Sequence, residues 1–389
     1  MKDASDYPAA ALSRELRATS TNPSVPVSPS KKKLEIIQAC RGIAALLVVL
    51  FHVTELSQQK LNQNFFSGLF AFGGSGVDFF FVLSGFIIFF AHRADIGQKQ
   101  KLNTFIVKRA IRVYPLYWMI TLALLPIYFL IPSFGKGYER NLGVIVKSLL
   151  LYPQENFPVL IVGWTLSYEI FFYFIFGLAI WLAPKVSRFV LCSWLGGTLA
   201  FFCLSISDRA SSTQLPLLLN FIFNPHNLEF AFGCLAAYWV VGEKIKPGIT
   251  GIVCFITGTL LFIASGLWDN SKIIELPDVV AYGLPSMLVV LGAASIDLNQ
   301  GWKMPTWLNG LGDASYSIYL VHYPCLAATF KVAIALNLVG LLGSFLSISV
   351  LAVIAVIAGW LTYLYLEKPL ITWLRRKLVP KQSAWANAQ

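Results

Sequence analysis

The feature that most limits what this 389-residue chain can fold into is a succession of long apolar runs. The first extends from Leu34 to Leu56, and others follow at 74–92, 111–133, 161–183, 189–205, 222–241, 249–267, 279–296, 311–331 and 338–366. A helix of ~20 apolar residues is what the hydrocarbon core of a bilayer demands of a chain that crosses it. Composition agrees, since 57% of the residues are hydrophobic and 13% charged, against about a quarter charged in soluble domains. The expected fold is all-α, a polytopic integral membrane helix bundle with about ten transmembrane helices.

The net charge of +11 is distributed as a topology signal. Connections on the side of the N-terminus carry nineteen Lys and Arg residues, including Lys31 to Lys33, Arg93, Lys108, Arg375 and Arg376, against seven on the other side. The positive-inside rule then puts both termini in the cytoplasm. This reading leaves no basic patch for nucleic acid. Residues 1–33 are polar, with Ser, Pro and Thr clustered, and are expected to form a disordered cytoplasmic tail. The membrane domain is expected over 34–370 and a basic amphipathic cytoplasmic tail over 371–389. The "EKPLITWLRRKL" stretch from Glu367 is read as a helix on the inner membrane face, without a catalytic role. The six cysteines lie in or beside apolar spans without metal-type spacing, so they read as apolar fillers and no metal centre is expected. No internal repeat of the transporter kind is visible.

Ionisable residues inside spans are costly and mark candidate sites. In "CRGIAALLVVLFHVTEL", Arg41 and His52 are eleven residues apart. That separation is about three turns, within ~20° of one helix face and roughly 16 Å along the axis. Arg41 would then stand near the cytoplasmic boundary and His52 in the outer half. Asp78 opens the next span in "FGGSGVDFFFVLSGF", and Glu169 lies in "GWTLSYEIFFYF", with Tyr168 beside it. Both carboxylates are expected near the depth of His52. Arg109 and Arg112, three apart, share a helix face at the level of Arg41. Three guanidinium groups at one depth suit a phosphorylated ligand better than charge balance requires. Ser315, Tyr319 and His322 form a polar stripe in "LGDASYSIYLVHYP", and His226 and Glu229 begin another span. Tyr168, Ser315, Tyr319, His322 and His226 are candidate substrate contacts. His92 reads as a boundary residue.

Together these positions suggest inner cations holding an anionic donor, a shaft between helices, and an outward-facing cluster of His52, Asp78 and Glu169. Two readings from other classes share many of the same residues. One is a proton-coupled transporter or flippase for a glycolipid, with His, Asp and Glu as the relay. The other is a non-catalytic subunit of a polysaccharide assembly complex.

The motifs also resemble a known family. The Arg41-to-His52 spacing, "GSGVDFFFVLSGF", the Arg109–Arg112 pair, "WTLSYEIFFY", "LGDASYSIYLVHYP" and the final "EKP" occur in the order of the acyltransferase-3 family. The compact length is most similar to its exopolysaccharide O-acetyltransferase branch. The resemblance covers about 34–370. It implies His52 as catalytic residue, Arg41, Arg109 and Arg112 as partners near an acyl donor, and Asp78, Glu169 and His322 at recurrent family positions. It further implies acetyl-CoA as co-substrate with no permanently bound cofactor, a carbohydrate acceptor, and a multi-pass protein of the bacterial inner membrane. Polysaccharide assembly machinery is a candidate partner. An imidazole is suited to accept a hydroxyl proton near neutral pH. Asp78 or Glu169 would hold its tautomer, or His52 would itself carry the acyl group. The sequence leaves those routes open.

Overall fold

The computed structural model describes residues 34–207, 216–242, 248–269 and 276–379. The tail expected at 1–33 and the last part of the C-terminal tail, 380–389, lie outside the described residues. The described residues are helical or irregular, with no strand among them. The helices that position the site are α1 (Glu35–Leu61), α2 (Gly76–His92), α3 (Leu102–Leu130) and α4 (Leu142–Leu150). They continue as α5 (Gly163–Trp181), α6 (Pro184–Ser207), α7 (His226–Val241), α8 (Ile249–Asp269) and α9 (Leu284–Asn299). The chain then forms α10 (Thr306–Ala335), α11 (Ser344–Thr362) and α12 (Lys368–Leu378).

Nine helices among the described residues are long and apolar enough to cross a membrane. The span expected at 222–241 is α7, only 16 residues long, which falls short of that length. The span expected from 111 begins nine residues earlier, at Leu102, so Arg109 and Arg112 stand inside a helix and not at its end. Apolar side chains are exposed on the outward faces, among them Leu130, Leu260, Phe345 and Val353. That is the pattern of helices whose outer solvent is lipid.

Prolines break the ladder where π-helical turns take up the slack. Val279–Gly283 precedes Pro285, and Tyr363–Glu367 precedes Pro369. A proline lacks the N–H that would close the preceding turn, so the backbone widens there. The second of these turns carries Glu367 into the interior, where it is 1% exposed.

Lateral packing is set by small residues. At the crossing of α1 and α10, a Cβ on Gly42 would meet Gly312 N at 2.9 Å. The same contact places Arg41 beside Ser315. At the crossing of α2 and α7, a Cβ on Gly85 would overlap the backbone of Phe230, and one on Gly233 the backbone of Val82. With hydrocarbon on every side, close backbone approach and dispersion hold helices together, and glycine permits both. The height of α1 is fixed by Asp297, which is 2% exposed. Its carboxylate accepts the Ile36 N–H at 2.9 Å and the Ile37 N–H at 3.1 Å. A carboxylate there satisfies orphan amides and complements the helix dipole.

Candidate active site

A cavity of about 950 Å³ opens among α1, α2, α3, α5, α10 and α12. Seven cationic side chains line it (Arg41, Lys108, Arg109, Arg112, Lys368, Arg375 and Arg376) against three carboxylates (Glu169, Asp313 and Glu367). The three arginines singled out from the sequence, Arg41, Arg109 and Arg112, line this one space. The other four are Lys108, one residue before Arg109, and Lys368, Arg375 and Arg376 from the C-terminal stretch. Arg375 and Arg376 come from α12, the stretch expected to lie on the membrane face without a catalytic role. In the structure α12 continues a single 35-residue helical segment from Ser344, and its basic side walls the cavity mouth.

Each guanidinium is held differently. Arg41 donates to Gln38 Oε1 at 3.0 Å and to Ser315 Oγ at 3.1 Å. Arg112 donates to Glu367 and lies over the Tyr316 ring, 4.9 Å from its centroid. Glu367 also accepts from Ser317 Oγ at 2.6 Å, so one edge of Arg112 is already committed to a protein carboxylate. Arg109 rests against Phe105 and Tyr173 at 5.7 and 5.6 Å from their centroids. Its Nη2 is 2.9 Å from His92 Nε2, and His92 Nδ1 is 2.8 Å from Asp95. The carboxylate can only accept, so His92 donates from Nδ1 and receives Arg109 at Nε2. His92 is thus the support of Arg109, a role its position at a span end did not disclose. Arg109 Nε is buried with no hydrogen-bond partner. Buried donors are nearly always satisfied, so this one stands out beside the cavity that Arg109 lines.

His52 points into the bundle, packed edge-on against His322 and Tyr323. Its Nδ1 is 3.0 Å from the Val48 carbonyl and 3.3 Å from His322 Nε2. His322 Nδ1 is in turn 3.1 Å from the Ile318 carbonyl. Carbonyls accept, so in the neutral pair His322 carries its proton on Nδ1 and His52 on its own Nδ1. The lone pair of His52 is thereby placed on Nε2, the nitrogen left free to take a proton.

Several expected groupings change. His52 is not partnered by a carboxylate; a carbonyl and His322 fix its tautomer. His322 is fully buried behind His52, which removes it as a substrate contact. Glu169 lies six residues into α5, about 9 Å along the axis, and lines the arginine cavity while accepting from Tyr173. Depth alone separates it from His52. Asp78, two residues into α2, faces α7 across the glycine crossing and meets His226 and Glu229 instead. Tyr168 is packed on Phe221, ring centroids 4.2 Å apart, so it is core and not a contact surface. Ser315 and Tyr319 do line the cavity, whereas His226 does not. The shaft is also interrupted. The cavity stops at Phe80, Thr165 and Tyr319, where the two hydroxyls are 2.8 Å apart, one layer short of the histidine pair.

Comparison with known proteins supplies a family. Residues 34–364 match the acyltransferase domain family. The chain is 29% identical over 335 residues to the exopolysaccharide production protein ExoZ of Rhizobium meliloti (strain 1021), covering 83% of this chain and 94% of that protein. It is 23% identical to the putative membrane-bound transacylase BcsY of Komagataeibacter xylinus, covering 76% and 73%. It is 24% identical to the peptidoglycan O-acetyltransferase OatA of Listeria monocytogenes, covering 78% of this chain and about half, 51%, of that protein. No solved structure matches the chain.

Proposed function

Because the chain belongs to the acyltransferase domain family, we propose that it moves an acyl group, acetyl in the first instance, from cytoplasmic acyl-CoA to a sugar hydroxyl. The acceptor would be a cell-surface polysaccharide or exopolysaccharide, or its lipid-linked precursor, as the names of ExoZ and OatA suggest. The bilayer would be the inner membrane of a bacterium. The observation that carries this reading is a cavity with a strong excess of cations, Arg41, Arg109 and Arg112 among them, that stops at Thr165 and Tyr319, one layer short of His52. A coenzyme A nucleotide offers phosphates to such groups, and arginine binds them through its planar fork. The excess of Lys and Arg on one side supports a cytoplasmic mouth beside Arg375 and Arg376, with both termini on that side.

Donor phosphates would sit against Arg41, Arg109 and Arg112, with the pantetheine arm directed at Tyr319 and Thr165. That hydrogen-bonded pair must part for the thioester to reach His52. His52 Nε2 then accepts the proton of the acceptor hydroxyl as its oxygen bonds to the thioester carbonyl carbon. The C–S bond breaks, coenzyme A leaves as thiolate, and the proton returns from the imidazolium to the sulfur. A thiolate leaves readily from a thioester, so activating the hydroxyl is the main chemical demand.

The test uses purified protein, labelled acetyl-CoA and a carbohydrate acceptor. Acceptor-dependent release of coenzyme A is expected, and His52→Ala should abolish it at unchanged protein level. Substantial residual transfer in that variant refutes the assignment. Label retained on the protein without acceptor would replace direct transfer by an acyl-histidine route. Glycolipid flux without thioester consumption would instead favour transport.

A further inference from the structure

The transfer chemistry above makes no use of Asp78, His226 and Glu229. The crossing of α2 and α7 brings them together for a geometric reason. Asp78 precedes Gly85 by seven residues and His226 precedes Gly233 by seven, while Glu229 is four before Gly233. Separations of seven and four fall within about 20–40° of the contact face, so all three side chains project between the two helices. Glu229 is fully buried and Asp78 is 5% exposed. The rings of Phe81, Trp164 and Tyr168 stand around His226.

The contacts of His226 are long for hydrogen bonds and match the ligand spacing of a metal site. His226 Nδ1 is 3.4 Å from both oxygens of Glu229 and 3.6 Å from Asp78 Oδ1, beyond the usual 2.7–3.2 Å hydrogen-bond range. Asp78 Oδ1, though buried, has no hydrogen-bond partner. One nitrogen and two oxygens, one from each residue, all lie within 4.8 Å of one another. Zinc bonds of about 2.0–2.2 Å at tetrahedral angles put neighbouring ligand atoms about 3.3–3.6 Å apart. Two carboxylates with a single imidazole in a medium of low dielectric also form a site that a dication would neutralise.

We propose that Asp78, His226 and Glu229 bind a zinc-sized divalent cation, leaving a fourth position for water or a hydroxyl group. The expectation of no metal centre rested on cysteine spacing, which cannot reveal ligands contributed by helices 148 residues apart in sequence. The ion would clamp α2 to α7 outside the arginine cavity, whose lining includes none of the three ligands. Its binding is read without acyl transfer, so it stands or falls separately from the proposed activity.

The full-length protein in detergent would be stripped with EDTA, titrated with Zn²⁺, desalted and assayed for metal by mass spectrometry. One zinc per chain and a rise in thermal midpoint are expected. Asp78→Asn, His226→Asn and Glu229→Gln should each weaken binding by more than the roughly 10- to 100-fold caused by losing an outer hydrogen-bond partner of a metal site. Zinc retained equally by the wild type and all three variants overturns the proposal. So does a wild type that takes up no zinc, as expected if the two carboxyls merely share a proton. Because a variant can fail to fold, Co²⁺ would also be loaded into the wild type. Intense visible bands of a four-coordinate ion support the site, and their absence overturns it.

Discussion

Replacing Arg109 by lysine separates charge from geometry at the point where the proposed donor meets the protein. Phe105 and Tyr173 flank the guanidinium, and His92 accepts from Nη2 at 2.9 Å. The Nε–H is left buried without a partner. Arg109 lines the cavity, and a phosphate oxygen reaching its guanidinium would gain a hydrogen bond to a charged group, worth about 1.5–3 kcal/mol. Lysine keeps the charge but offers neither the fork nor the flat surface that stacks on the rings. At 1.4 kcal/mol per tenfold, Arg109→Lys should weaken acetyl-CoA binding about 10- to 150-fold. The turnover number at saturating donor should change little, because the group lies far from the thioester carbon. Calorimetric titration of purified protein with acetyl-CoA, and with acetyl-pantetheine as a donor lacking the nucleotide, measures both halves of the claim. The penalty should appear with the first ligand and vanish with the second. Equal acetyl-CoA affinity in wild type and Arg109→Lys, or an equal loss for both donors, refutes the phosphate role.

Three further outcomes follow from the same geometry. Glu367→Gln should lower the thermal midpoint, because removing one member of a buried ion pair costs about 3–5 kcal/mol. The loss should fall toward the lower end, since Arg112, 26% exposed at its side chain, can turn toward the wet cavity. A midpoint equal to wild type would mean that Glu367 does not stabilise Arg112. His322→Gln should slow turnover without changing the Michaelis constant for the donor. The drop should stay below the ~10²–10⁴-fold contributed by general base catalysis, since Val48 still accepts from His52 Nδ1. Unchanged turnover would free His52 from any dependence on His322. Gly233→Ala should destabilise by about 1–3 kcal/mol through overpacking, read as a lower midpoint, because its Cβ would fall on the Val82 carbonyl. A neutral result would contradict the tightness of the α2–α7 crossing.

Much of the site could be found along the chain. The Arg41–His52 spacing marks one helix face, and Arg109 and Arg112 do meet Arg41 at one cavity. Those inferences need only helical periodicity and the cost of charge in lipid. Partners proved harder. His322 beside His52, His92 under Arg109 and Glu367 on Arg112 join residues 270, 17 and 255 apart in sequence. Asp78 and Glu169 are both expected at the depth of His52, yet Glu169 lies deeper, among the arginines, and Asp78 faces His226 and Glu229.

Hydropathy and charge determined on their own that this chain is a helical membrane protein, roughly where its spans run, and which side chains are too costly to be there by chance. Depth in a helix follows from counting at a fixed rise per residue. Azimuthal neighbours follow from which backbones can touch, and here that depends on glycines at Gly42, Gly85, Gly233 and Gly312. Hydrocarbon is indifferent to which apolar face meets it, so no pattern in the sequence selects one lateral arrangement. Close packing does, and only the tertiary structure decided that the histidines would pair and that Asp78 would turn to His226 and Glu229.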